Sequence, residues 1–210
     1  VEAKREVIIA ASSINSPKLL MVSGIGPAEH LREHGITPLV DRPGVGANLQ
    51  DHLLSGGNVY RASQPVPLTG TQHSEAMMYI PAEGDDPDAP PELVVGIASL
   101  PMISAGLIDD LPAMEIDQGY TLLFGITHPR SRGTVKLTST DPMAAPEIDP
   151  RYLSHATDRA LFTQAHNWAR RLGASSAYDA WRGEEVLPRA SDLVDQASID
   201  AFIARAAITH

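Results

Sequence analysis

The sequence predicts an α/β (α+β) fold, and three observations carry that reading. Unbroken or alternating β-branched runs are interleaved with helical patterns. From about Leu54 onward the helical character gives way to strands separated by long loops. The 210 residues include 16 glycines and 17 prolines, the turn-formers such a chain needs.

Taken in order, Arg5 to Ala11 reads as a buried strand, because Val7-Ile8-Ile9 is continuous and ends in small residues. Ser12 to Asn15 reads as a polar turn. Ser16 then suits an N-cap with Pro17 at the first helical position, where a missing N–H costs nothing. Gly24 is placed to end that helix. Pro27 to His34 reads as a second short helix closed by Gly35, and Ile36 to Val40 as a strand. Arg42-Pro43-Gly44-Val45-Gly46 must bend.

Further strands are expected at Ser74 to Ile80, Leu93 to Ile97, Thr121 to Ile126 and Thr134 to Thr138. An acidic, proline-rich loop, Glu83 to Pro91, separates the first two. Asp158 to Leu172 is the longest helical pattern, with Leu161, Phe162, Ala165, Trp168, Ala169 and Leu172 on one face. A last helix is expected to start with Ser198 as N-cap and to bury Ile199, Phe202, Ile203 and Ala206. A composition shift near residues 52 to 60 marks a domain boundary.

A net charge of −10 argues against a general nucleic-acid binder, which needs clustered Lys and Arg. The absence of cysteine removes disulfides, thiolate metal sites and a cysteine nucleophile. Apolar stretches such as Val7 to Ala11 fall far short of the roughly 20 residues that span a bilayer, so no membrane partner is expected. A cytoplasmic setting is the default expectation. The first residue is Val1 rather than Met, and the last is His210, directly after a helical pattern, so the chain reads as a piece of something longer.

Isolated chemical candidates are weak. His30 and His34 lie four apart on a helix, but neither the metalloprotease arrangement nor an evident third ligand accompanies them. They read as a solvated helix face, and no metal is expected. Ser23 lacks the glycine two residues before it that a nucleophile elbow requires. Gly24-Ile25-Gly26 and Gly44-Val45-Gly46 each lack the third glycine of a dinucleotide-binding set. Asp51 and His52, as neighbours on an extended segment, point in opposite directions and do not form a direct dyad. His210 could project into a cleft as a general base or could be a frayed end.

Longer runs say more. Ala11-Ser12-Ser13-Ile14-Asn15-Ser16-Pro17-Lys18-Leu19-Leu20-Met21-Val22-Ser23-Gly24-Ile25-Gly26-Pro27 resembles the second signature of the glucose–methanol–choline (GMC) oxidoreductases, which are FAD-dependent. Glu29-His30-Leu31 with Gly35-Ile36, and then Pro43-Gly44-Val45-Gly46-Ala47-Asn48-Leu49-Gln50-Asp51-His52, are similar to the segments that follow it in the family. His128 to Leu137, Asp141-Pro142, Pro146 to Pro150 and Tyr152-Leu153-Ser154 resemble the opening of the family's C-terminal domain. The likeness is weakest between residues 60 and 118. One departure is Ser12, where the signature usually has Gly.

The resemblance implies that residues 1–53 are the last part of a Rossmann-like FAD-binding domain, with the signature at 12–26. It implies that residues 54–210 are a substrate domain, an antiparallel sheet flanked by helices, cut before the catalytic histidine motif. The implied cofactor is FAD, with Ala10, Ala11, Ser12, Ser13, Asn48, Asp51 and His52 near it. The implied reaction takes a small alcohol, choline-like or other, to an aldehyde or ketone by hydride transfer to flavin, with a histidine as base. That base is His210 or a residue just beyond it, the second being favoured. The isolated chain is expected neither to hold FAD nor to oxidise alcohols. Two other readings stand beside this one: a cyanohydrin lyase that keeps FAD on the same fold, and an inactive remnant that binds a partner.

Overall fold

The computed structural model describes residues 3–68, 70, 72–74 and 76–209. In chain order its elements are α1 (Ser12–Val22), β1 (Ile25–Gly26), α2 (Ala28–Glu33), β2 (Val40–Asp41), β3 (Leu53–Ser55), β4 (Val59–Ala62), β5 (Met77–Ile80), β6 (Leu93–Ala98) and β7 (Gly119–Ile126). There follow β8 (Thr134–Lys136), β9 (Glu147–Asp149), α3 (Ala156–Gly173), β10 (Arg182–Leu187), α4 (Gln196–Ala206) and β11 (Ala207–Thr209). They form two compact units, Val1–Gln50 with Ser131–Tyr152, and Asp51–Arg130 with Leu153–His210.

In the first unit, β1 and β2 pair in parallel, Ile25 opposite Val40, and β8 pairs antiparallel with β9. Met21 of α1, Leu31 of α2 and Leu137 form its buried apolar centre, with Val22, Ile36 and Val45 packed against them. Helix α1 starts one turn earlier than the Ser16 cap implies. Ser16 Oγ accepts the Ala11 N–H at 3.0 Å, so the serine ties down the turn before the helix while sitting within it. Pro17 is therefore internal to α1 and forfeits one bond of the helical ladder. Gly24 ends the helix as expected, left-handed at φ +86° with its N–H on Met21 O at 2.9 Å.

The buried strand expected over Arg5 to Ala11 is absent. Val7 and Ile8 are 78% and 81% exposed, and among the described residues no strand pairs with them. A β-branched run has strand propensity, but a ladder needs a neighbour to supply its hydrogen bonds. The strand expected over Ile36 to Val40 shrinks to Val40–Asp41.

The second unit is a seven-stranded antiparallel sheet built around β7. Strand β6 runs along one side of β7, from Leu93 opposite Ile126 to Ala98 opposite Thr121, with β5 beyond it. On the other side β3 and β4 lie end to end, flanked by β11 and β10 respectively. Alternation along β7 gives the sheet two different faces. Phe124 packs on Phe162 and His166 of α3, both with ring centroids at 5.2 Å, so Leu122, Phe124 and Ile126 belong to the helix-covered face. Thr121, Leu123 and Gly125 belong to the opposite face.

Helix α3 matches its periodicity and buries Leu161, Phe162, Ala165, His166 and Ala169. Trp168, expected on that face, is only half-buried and carries the Arg171 guanidinium 4.0 Å above its ring. Helix α4 is capped three residues earlier than expected. Asp195 is the N-cap and accepts both the Ser198 N–H and the Ser198 hydroxyl at 2.8 Å. No helix among the described residues is long and apolar enough to cross a membrane.

Candidate functional site

Two hollows, one in each unit, hold three of the site residues singled out by sequence, Ser13 and Asn48 in one and His52 in the other. In the first unit a hollow of about 420 Å³ lies between α1 and the Gly44–Gln50 segment. Ser13, Ser16 and Pro17 line one wall and Gly46, Asn48 and Gln50 the other. Asn48 adopts a left-handed φ of +60° and Gly46 one of +78°. Gly46 O accepts the Val135 N–H at 2.7 Å, and a Cβ at Gly46 would run into the Val135 carbonyl. No other residue type fits that close backbone approach.

Helix α1 carries no acid in its first turn, and its N-cap, Ala11, supplies no side-chain acceptor. Its leading amide groups therefore have no protein carboxylate competing for them, and Ser13 of that turn lines the hollow. This suits an anionic or carbonyl-bearing group.

Of the cofactor candidates, Ser13 and Asn48 meet in this hollow. Ala10, Ala11 and Ser12 form the turn into α1, with Ser12 left-handed at φ +71°, and do not line it. Asp51 and His52 belong to the second unit. His210 lies outside the described residues.

The second hollow, of about 210 Å³, lies at one end of the sheet, where Leu54, Met77, Tyr79 and Val94 come from the face opposite α3 and Leu53 and Ile126 from the other. Of its lining, Leu54 and Val94 belong to a buried apolar cluster with Ala98 and Leu123, against which Ile208 packs. Met77 and Tyr79 of β5 pair with Gly96 and Val94 and stand on the face opposite α3, both exposed. His52, Thr127 and His128 also line the hollow. Thr127 prolongs the β6–β7 ladder, its N–H on Glu92 O at 3.0 Å and its hydroxyl on Pro91 O at 2.6 Å. Thr127 and His128 were not singled out by sequence as site residues. The readable clue was the polar pair Thr127-His128 at the exit of an apolar strand, before Pro129.

His30, Glu33 and His34 do cluster, their potential ligand atoms lying within 4.8 Å of one another. They are not a merely solvated face, however. His30 Nε2 accepts the Leu137 N–H at 3.0 Å, which places the ring's proton on Nδ1, 3.6 Å from Glu33. A metal on Nδ1 would require a proton on Nε2, facing another N–H. Burial first, then the His34 charge, pushes the His30 pKa down, in keeping with a ring held neutral as an acceptor.

Residues 1–54 match the N-terminal and residues 129–210 the C-terminal model of the GMC oxidoreductases. The chain belongs to the GMC oxidoreductase family. GMC oxidoreductases are FAD-dependent enzymes acting on CH–OH groups. The chain is 42% identical over 205 residues to pyridoxine 4-oxidase of Microbacterium luteolum, covering 98% of this chain and 39% of the relative. It is 40% identical over 196 residues to choline oxidase of Arthrobacter globiformis, covering 92% and 35%. The chain thus spans about two fifths of the length of these relatives. Pyridoxine 4-oxidase of Mesorbium loti superposes with a TM-score of 0.85 at 42% identity, over 95% of this chain and 38% of that one. Formate oxidase of Aspergillus oryzae shares the fold, with a TM-score of 0.82 at 21% identity, over 99% and 43%.

Proposed function

We propose that this GMC chain serves a FAD-dependent oxidation of a small alcohol without a fixed positive charge, giving an aldehyde or ketone. The sheet hollow carries the proposal. Its floor is aliphatic, its rim holds imidazole and hydroxyl groups, and none of its described lining residues is a carboxylate. Such a lining desolvates a ring or alkyl body and reserves its few polar atoms for one hydroxyl. A quaternary ammonium, as the name of choline oxidase implies for that relative, would find only the Tyr79 ring to meet its charge. A ring alcohol, as the name of pyridoxine 4-oxidase implies, suits the hollow better.

FAD, when bound, supplies the electron acceptor for the reaction. On this chain Ser13, Ser16 and Asn48 are the residues we assign to holding it, with the first-turn amides of α1. Leu54, Val94, Met77 and Tyr79 would exclude water from the reacting carbon. The base is assigned to His210 or a residue just after it.

The test is anaerobic mixing of the full-length flavoprotein with benzyl-type alcohols, pyridoxine and choline, following flavin absorbance. Bleaching by the ring alcohols and a much weaker response to choline are expected. Equal bleaching by choline would remove the preference for an uncharged substrate. Cyanide release from a cyanohydrin, with no bleaching by any alcohol, would favour the lyase.

A further inference from the structure

We infer that His128 is a substrate-binding residue of the sheet hollow, held by Thr127 as the Nδ1–H tautomer so that Nε2 accepts a hydrogen bond from the alcohol's hydroxyl. The inference rests on the reading that this hollow receives an alcohol.

The tautomer follows from counting protons. The Pro91 carbonyl can only accept, and Thr127 Oγ1 lies 2.6 Å from it, so the single hydroxyl proton is committed there. Thr127 Oγ1 is also 2.9 Å from His128 Nδ1. With its proton already used, the oxygen must accept, and Nδ1 must donate. In the neutral ring the lone pair then belongs to Nε2. No other hydrogen bond to the His128 ring is found among the described residues.

The support beneath Thr127 is rigid for a reason legible in the fold. The register that sets Leu93 opposite Ile126 continues one step further, where Thr127 N–H reaches Glu92 O at 3.0 Å. Thr127 is thus bonded twice to the segment leading into β6. Pro129 disfavours helical backbone at its predecessor, His128. The result is an imidazole oriented by a hydroxyl, itself oriented by a carbonyl, at the rim of an apolar hollow. A ring needed only to finish a strand would not require its tautomer to be set. A ring that must accept from a substrate hydroxyl does, because the other tautomer would present a donor where an acceptor is needed.

The experiment uses the full-length, FAD-loaded protein and the His128→Asn variant, whose amide can still donate to Thr127 but offers nothing at the Nε2 position. Rapid anaerobic mixing separates the alcohol's Kd from the limiting rate of flavin bleaching. Perturbation of the flavin spectrum gives the Kd of the deoxy analogue, which lacks the hydroxyl. The alcohol's Kd should rise roughly tenfold in His128→Asn while the deoxy analogue's Kd and the flavin content stay unchanged. Thr127→Val should weaken alcohol binding in the same direction, and Thr127→Ser should restore it.

Equal losses for both ligands would show a merely structural role and overturn the inference, as would no loss for either. If the wild-type protein bleaches with no alcohol, the underlying substrate reading falls and takes this inference with it. Bleaching of the wild type with unaltered alcohol binding in His128→Asn would overturn the His128 assignment alone.

Discussion

The imidazole of His30, on α2, accepts the backbone N–H of Leu137 at 3.0 Å, linking residues 107 positions apart within the first unit. Only a neutral His30 can do this, and burial with the His34 charge lowers its pKa. The contribution is therefore present above the unfolded-state value near 6.5 and is lost as pH falls below it through the folded-state value. Replacing His30 by Ala should cost about 1–2 kcal/mol, by stranding the Leu137 N–H, and should remove part of the acid sensitivity. Urea denaturation across pH 5 to 8 would measure both.

A second buried imidazole behaves differently. His166 is 1% exposed between Phe124 and Phe202, and neither ring nitrogen has a hydrogen-bond partner. Burial, with a smaller contribution from Arg170, lowers its pKa to about 4. Folding thus favours the neutral ring, and stability should fall as pH drops from 6.5 towards 4, by on the order of 3 kcal/mol. His166→Leu should flatten that acid limb. It should also match or exceed wild-type stability at pH 7, because it removes two unpaired polar atoms at similar volume. A loss of more than about 2 kcal/mol at pH 7 would show that the ring is satisfied by bound water.

Glu185 of β10 binds Arg170 of α3 through two bonds, at 2.9 and 2.8 Å, and accepts the Tyr60 hydroxyl at 3.1 Å. Burial first, then Glu185, raises the Tyr60 phenol pKa, so the hydroxyl keeps its proton and remains a donor. Glu185→Ala should cost about 2 kcal/mol by leaving the guanidinium and the phenol without their acceptor. Arg170→Lys should cost less but still measurably, since an ammonium cannot reproduce the paired geometry. Thermal unfolding of both variants would rank them.

Gly46→Ala places a methyl group against the Val135 carbonyl at a backbone φ of +78°. We expect a loss of about 2–3 kcal/mol from steric and conformational strain together. Because the Gly44–Gln50 segment lines the hollow assigned to FAD, flavin content of the full-length protein should fall as well. Unchanged flavin content in a folded Gly46→Ala variant would contradict that assignment.

Much of the local structure was legible in the chain. The apolar stripe of α3, the end of α1 at Gly24 and the strands around Leu93 and Thr121 obey periodicities that depend on near neighbours. The site was legible only in part. Ser13 and Asn48, two of the residues implied to lie near FAD, line one hollow, whereas Asp51 and His52 fall in the other unit. Strands β3, β10 and β11 escaped notice: Leu53–Ser55 is only three residues long, and Arg182-Gly183-Glu184-Glu185 has no apolar alternation. Such segments become strands because longer partners offer them hydrogen bonds.

Taken alone, the sequence determined the family, the α/β character, the turns demanded by glycine and proline, and the helix face that must be buried. These follow from short-range sterics, periodicity and motif spacing. Only the tertiary structure decided which residues gather in the sheet hollow and that two imidazoles, His52 and His128, line it. It also decided that Val7 and Ile8 lie exposed and that the protons of His30 and His128 both rest on Nδ1. Those outcomes depend on register and on hydrogen-bond partners far away in the chain, and a partner's identity is settled only when folding brings it within about 3 Å.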